Sequence, residues 1–121
     1  MRYVGYSMTS NELLFRVLSE VCDGTYVAYP ERHPLPFFVY KREHGGEVYA
    51  DNYNYSLLPQ YRVELLVKEN DPELISKFES SLSRLGTWKL YDADWLDSEN
   101  CIDHDYRLTL LPNREREENG Q

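Results

Sequence analysis

Ile102-Asp103-His104-Asp105-Tyr106-Arg107-Leu108-Thr109-Leu110 is the stretch on which the fold turns. Ile102, His104, Tyr106, Leu108 and Leu110 fall on one side of an extended chain; Asp103, Asp105, Arg107 and Thr109 fall on the other. Period two with one apolar side marks a strand that buries one face and wets the other. A strand at 101–111 of this kind needs neighbours to pair with and helices to cover it.

Working back from it, residues 87–92 form a shorter extended run, and Gly86 separates that run from a helix. Leu74, Ile75, Phe78, Leu82 and Leu85 recur at helical spacing, Asn70 or Asp71 supplies the cap, and Pro72 sits in the first turn where its missing N–H costs nothing. Gly86 is placed to end this helix. Before it, Tyr61, Val63, Leu65 and Val67 alternate with Arg62, Glu64, Leu66 and Lys68, a second strand with one buried face. Phe37-Phe38-Val39-Tyr40-Lys41-Arg42 reads as a strand, and Gly45-Gly46 joins it in a hairpin to Glu47-Val48-Tyr49-Ala50. Thr9-Ser10-Asn11-Glu12 is a capping box that opens an amphipathic helix over 10–23, with Gly24 as its stop. Residues 25–36 carry Pro30, Pro34 and Pro36 and form an extended connector.

The order α-β-β-β-α-β-β, with hairpins and no βαβαβ alternation, predicts an α+β fold. An antiparallel sheet of four to five strands carries two helices packed on one face. A length of 121 residues gives one domain, 1–111, followed by a charged tail at 112–121 with no apolar periodicity.

Thirteen Lys and Arg against 21 Asp and Glu leave a net charge of −8, which argues against a nucleic-acid binder or a membrane-surface protein. No apolar run reaches a bilayer span, and the first residues lack the apolar core of a signal peptide. A soluble product that stays where it is made is expected. Cys22 and Cys101 then read as free thiols, and their spacing fits neither a metal motif nor a CxxC pair.

Motifs of catalysis are missing: the sequence has no GxSxG, no Gly-rich phosphate loop and no HExxH. Neither a catalytic residue, a cofactor nor a metal is assigned. Counted from Asp92 as a calcium loop, the fifth, sixth and twelfth positions are Leu96, Asp97 and Asp103, and all three break the loop grammar. His33, His44 and His104 are too scattered for a His-centred site, and His104 reads as a satisfied imidazole at the core edge. Asp103 and Asp105 share a face with Arg107 and read as ion-paired, while Ser80, Ser81 and Ser83 read as the polar side of the second helix. The tyrosines are different. Eleven Tyr stand beside four Phe and two Trp, and Tyr49, Tyr53, Tyr55 and Tyr61 flank Ala50-Asp51-Asn52. They read either as cover for the core edge or as a projecting arm that packs on a neighbour, hydroxyls at the rim. Residues 87–105 hold six acids and one Lys, −5 of the total charge, so Asp92, Asp94 and Asp97 form a candidate docking face for a basic partner.

The order of these segments resembles one family. A short N-terminal helix leads to Leu35-Pro36-Phe37-Phe38-Val39-Tyr40, then Ala50-Asp51-Asn52, Tyr61-Arg62-Val63-Glu64-Leu65, and Asn70-Asp71-Pro72-Glu73-Leu74 opening a helix. This resembles the small tail-completion proteins, tail terminators or head–tail joining proteins, of long-tailed bacteriophages and prophages. The resemblance spans roughly residues 10–111; the acid-rich 92–105 stretch and the charged tail depart from it. It implies a non-enzymatic virion protein of the tail or neck, made in the host cytoplasm. A hexameric ring of α+β subunits would cap the tail tube and join the head connector. Its implied partners are copies of itself, the major tail tube protein and a head-completion protein, while DNA passes the channel without specific binding. Tyr49, Asp51, Asn52, Tyr53 and Tyr55 would then be the assembly arm, joined by Asp92, Asp94 and Asp97. The alternative is an acidic regulatory module that occupies a basic cleft as a DNA mimic. A small enzyme working through Asp103 and Asp105 is a third reading.

Overall fold

The computed structural model describes residues 9–27, 33–43, 58–97 and 100–112. Helix α1 spans Ser10–Leu18, followed by strands β1 (Asp23–Tyr26), β2 (Phe37–Glu43) and β3 (Gln60–Val67), helix α2 (Pro72–Leu85), and strands β4 (Gly86–Leu96) and β5 (Cys101–Leu110). The expected order and the two-helix α+β layering hold, with β1 standing where the end of the first helix and the connector were expected, while the strand expected at 47–50 lies outside the described residues. The five strands lie in the order β1-β2-β3-β5-β4. Every ladder is antiparallel except β1–β2, which is parallel, so the sheet is mixed where an antiparallel one was expected.

The capping box at α1 forms as its sequence dictates: the Thr9 hydroxyl accepts from the Glu12 N–H at 3.1 Å and the Glu12 carboxylate accepts from the Thr9 N–H at 3.0 Å. The helix then stops at Leu18, five residues short of the expected end. After Leu18 the N–H groups of Glu20 and Val21 reach back only three residues, to Val17 and Leu18, which tightens and closes the last turn. Gly24 is no helix stop. It lies in β1, where a Cβ would come within 2.3 Å of the Phe38 ring, so the position requires glycine for close approach. Ten residues separate Tyr26 from Phe37, at the short end of what a parallel connection takes.

Helix α2 is capped by Asp71, whose carboxylate accepts from the Leu74 N–H at 3.2 Å. Gly86 follows as the first residue of β4. There a Cβ would meet the Thr109 carbonyl oxygen at 1.9 Å, so the sheet's own backbone excludes any side chain. Strand β4 runs on to Leu96, past the expected end at 92, because a bulge between Leu90 and Asp92 breaks the alternation that a sequence reader follows.

Both helices lie on one face of the sheet. Leu14, Val17 and Leu18 of α1, with Phe78, Leu82 and Leu85 of α2, are buried against Phe38, Tyr40, Tyr61, Val63, Leu65, Val67, Tyr106, Leu108 and Leu110. Two tyrosine hydroxyls fasten this layer. Tyr61 on β3 donates to the Asn11 side chain of α1, and Tyr106 on β5 donates to Glu79 of α2 at 2.8 Å. Ser81, expected on the polar side of α2, is buried, while Ser83 accepts from the Trp88 indole N–H at 2.9 Å. Cys22 and Cys101 are both free thiols. Burial, with Asp23 adding to it, pushes the Cys22 thiol up to about 12, so it stays protonated and unreactive.

Candidate functional site

On the face that the helices leave bare, the register sorts side chains into rows running across the strands. Phe37, Leu66, Asp103 and Asp94 share the first row; Val39, Glu64, Asp105 and Asp92 the second; Lys41, Arg62, Arg107 and Lys89 the third. The first row begins in a small apolar cluster of Phe37, Val39, Leu66 and Cys101, backed by Leu35 and Leu96. Toward β4 the first two rows become a band of five carboxylates, and the third is a row of four cations.

The arginines stitch the rows together. Arg62 reaches Glu64 at 3.2 Å and Asp105 at 3.4 Å. Arg107 donates to Asp105, approaches Glu43 at 3.8 Å, and lies over the Tyr91 ring with its guanidinium carbon 4.5 Å from the centroid. Asp105 is thus ion-paired, as its spacing from Arg107 predicted. Asp103 is not. Its Oδ1 is buried without a hydrogen-bond partner. Burial first, then the Glu64 and Asp105 charges, raise its carboxyl from 3.8 to about 7, with Arg62 opposing the rise.

His104 lies on the helix-covered face, its ring stacked on Tyr106 with 16° between the planes. Its Nδ1 is buried and has no hydrogen-bond partner, so the imidazole is not the fully satisfied one expected. Burial lowers its pKa from 6.5, against a hydrogen bond with the Leu65 backbone and the Glu79 charge, and this favours the neutral ring. Among the described residues no three His, Cys, Asp or Glu side chains group to hold a metal ion.

The outer strands hold the remaining feature. Among the described residues, the large apolar side chains left in water are Phe15 (41%), Tyr26 (42%), Val27 (51%), Leu90 (41%), Tyr91 (59%) and Trp95 (51%). They divide between the two ends of the sheet. Tyr26 and Val27 belong to the β1 edge, with the Tyr26 ring 5.1 Å from Tyr40, and Phe15 of α1 lies over the same Tyr40 at 6.3 Å. Leu90, Tyr91 and Trp95 belong to β4, eleven residues long and exposed over most of its length. Neither β1 nor β4 has a second strand beside it among the described residues.

Of the residues singled out from sequence, Tyr49, Asp51, Asn52, Tyr53 and Tyr55 lie outside the described residues, as does the Gly45-Gly46 hairpin. Asp92 and Asp94 stand exposed on β4 beside Asp105 and Asp103. Asp97 sits in the turn between β4 and β5, where it accepts from the Trp95 indole N–H at 2.7 Å. Sequence reasoning missed the two apolar edges. Thr25-Tyr26-Val27, rich in β-branched and aromatic residues, carried a strand signal, and Trp95 lay beyond the break that Tyr91 makes. The chain matches no protein-family model, and no curated protein or solved structure shows significant similarity to it.

Proposed function

We propose that this chain is a non-enzymatic assembly subunit that closes head-to-tail into a homo-oligomeric ring, of the tail-completion kind its sequence resembles. On this reading it caps a tail tube and meets a head connector. One observation carries the reading: apart from Phe15 on α1, the large apolar side chains exposed among the described residues belong to the two opposite edges of one sheet, Tyr26 and Val27 at β1 and Leu90, Tyr91 and Trp95 on β4. A ring requires two different surfaces on each subunit, one to give and one to receive. Edge strands of monomers are normally short or blunted, because an open edge templates pairing. At eleven residues β4 is about twice the usual strand length; the bulge after Leu90 and the Asp92 and Asp94 charges blunt its second half, while 86–90 pair regularly and keep Leu90 in water on the helix side. Six-fold closure, the tail-tube and connector partners and the passage of DNA come from the resemblance.

The carboxylate band on the open face favours the second reading, an acidic module that binds a basic partner. The two readings separate in solution. Sedimentation velocity over a hundredfold range of concentration, with negative-stain imaging, finds rings if the subunit assembles. Tyr26→Lys and Leu90→Lys then each abolish them while leaving the fold intact. A chain that stays monomeric throughout, and binds polycations with a steep salt dependence, is the acidic module instead.

A further inference from the structure

Strand directions constrain how one ring subunit meets the next. β2 and β5 both oppose β3, β4 opposes β5, and β1 follows β2, so the two outer strands β1 and β4 run in opposite directions. A second copy placed along the sheet without being turned over keeps its directions. Its β1 therefore arrives antiparallel to the β4 it meets. We propose that the seam between copies is an antiparallel ladder in which β1 of one copy adds to β4 of the next, so that one sheet runs through the assembly. This rests on the ring-subunit reading above and specifies the surface that reading uses.

The faces match. Gly24 and Tyr26 pair with Phe38 and Tyr40 of the helix-covered side, and Asp23 and Thr25 pair with Phe37 and Val39 of the open side. On β4, Trp88 and Leu90 pair with Leu108 and Tyr106 of the helix-covered side, and Thr87 and Lys89 pair with Thr109 and Arg107 of the open side. Charge selects the register. Asp23 is the one charged residue of β1, and Lys89 is the one cation of β4, whose other charges are Asp92 and Asp94. Asp23 beside Lys89 joins opposite charges, whereas Asp23 beside Asp92 or Asp94 opposes like ones. The Asp23 carboxylate is four-fifths exposed and meets His33 at 3.8 Å, and Lys89 lies exposed over the Tyr91 ring. That register sets Gly24 beside Trp88, Thr25 beside Thr87 and Tyr26 beside Gly86, each pair on one side of the sheet. Past the end of β1, Val21 and Cys22 come abreast of Tyr91 and Leu90. Trp95 lies beyond the reach of a four-residue strand.

The test uses the full chain and three variants: Asp23→Lys, Lys89→Asp, and both changes together. Each single change turns an attraction at every seam into a repulsion and weakens association on the order of tenfold by sedimentation velocity. The double variant restores opposite charges and returns to within about twofold of the starting affinity. A disulfide trap gives the direction. Oxidising a mixture of Thr25→Cys protein and Thr87→Cys protein yields a covalent dimer that neither yields alone, with the unaltered chain as control for Cys22 and Cys101. Two β4 edges meeting about a two-fold axis would instead set Lys89 opposite Asp94 of the copy. Lys89→Asp would then weaken association while Asp23→Lys had no effect. That result makes the contact isologous and overturns both the seam and the head-to-tail ring, whereas a double variant no better than the singles overturns the seam and leaves the ring standing. A starting chain that is monomeric at every concentration overturns both.

Discussion

Asp103→Asn exchanges a carboxylate for a neutral side chain of the same shape at the one described carboxylate whose oxygen is buried without a partner. Glu64, Asp105 and Asp92 surround it with negative charge, and burial adds the larger penalty. Because the folded-state value, about 7, lies above the ordinary 3.8, the folded chain holds the proton more tightly than the unfolded one. The stability this confers is complete below about pH 3.8 and is lost as pH rises through about 7. A shift of about three pH units corresponds to a ceiling of roughly 4 kcal/mol. Asp103 is only half-buried, so solvent screening brings the cost at pH 8 to roughly 1–2 kcal/mol. Asn escapes that cost. Thermal melts of the variant at pH 8 gain roughly 3–8 °C over the starting chain, and at pH 3.5, where Asp103 is neutral in the folded and the unfolded chain alike, the two coincide within about 2 °C. An equal gain at both pH values would trace the effect to something other than ionisation. A loss at pH 8 would refute the reasoning outright, since it would make the charged form stabilising. Its neighbour His104 works in the other direction: with its folded value lowered below 6.5, stability falls as pH drops through that value. Just below pH 6.5 the two slopes oppose each other, and above it only the loss from Asp103 remains.

Gly86→Ala places a methyl group 1.9 Å from the Thr109 carbonyl oxygen and costs more than about 3 kcal/mol, read as loss of folded protein in a urea titration. Tyr106→Phe removes the donor at 2.8 Å from Glu79 and leaves a part-buried carboxylate without it, a loss of about 1–2 kcal/mol by chemical denaturation. Leu90→Lys, at an exposed position, moves the melting temperature by less than about 2 °C yet weakens self-association at least tenfold.

Much of the fold was legible because local signals and packing agreed. The alternation at 101–111, the caps at Thr9 and Asp71 and the stripe from Leu74 to Leu85 each met the element they predicted. Where the reading failed, a residue answered to a distant partner. Gly24 looks like a helix stop, but the Phe38 ring is what excludes a side chain there, and no local window contains that ring. β4 is cut short in sequence because Tyr91 adds one residue to the alternation, a displacement visible only against β5. The rows of acids and cations on the open face exist only through cross-strand register, which local patterns do not encode. The acid-rich stretch was legible as charge. The apolar edges were not, because Tyr26 and Trp95 have ordinary neighbours in sequence and become conspicuous only once their strands are outermost.

Native mass spectrometry of the 121-residue chain at low micromolar and at tens of micromolar protein bears most directly on the claim that the molecule works by closing on its own copies. A ring subunit gives one closed species, a single integer multiple of the 14.4 kDa chain that grows with concentration at the expense of the monomer. A monomer peak alone at every concentration, or a ladder of ever-larger species with no preferred size, would contradict it.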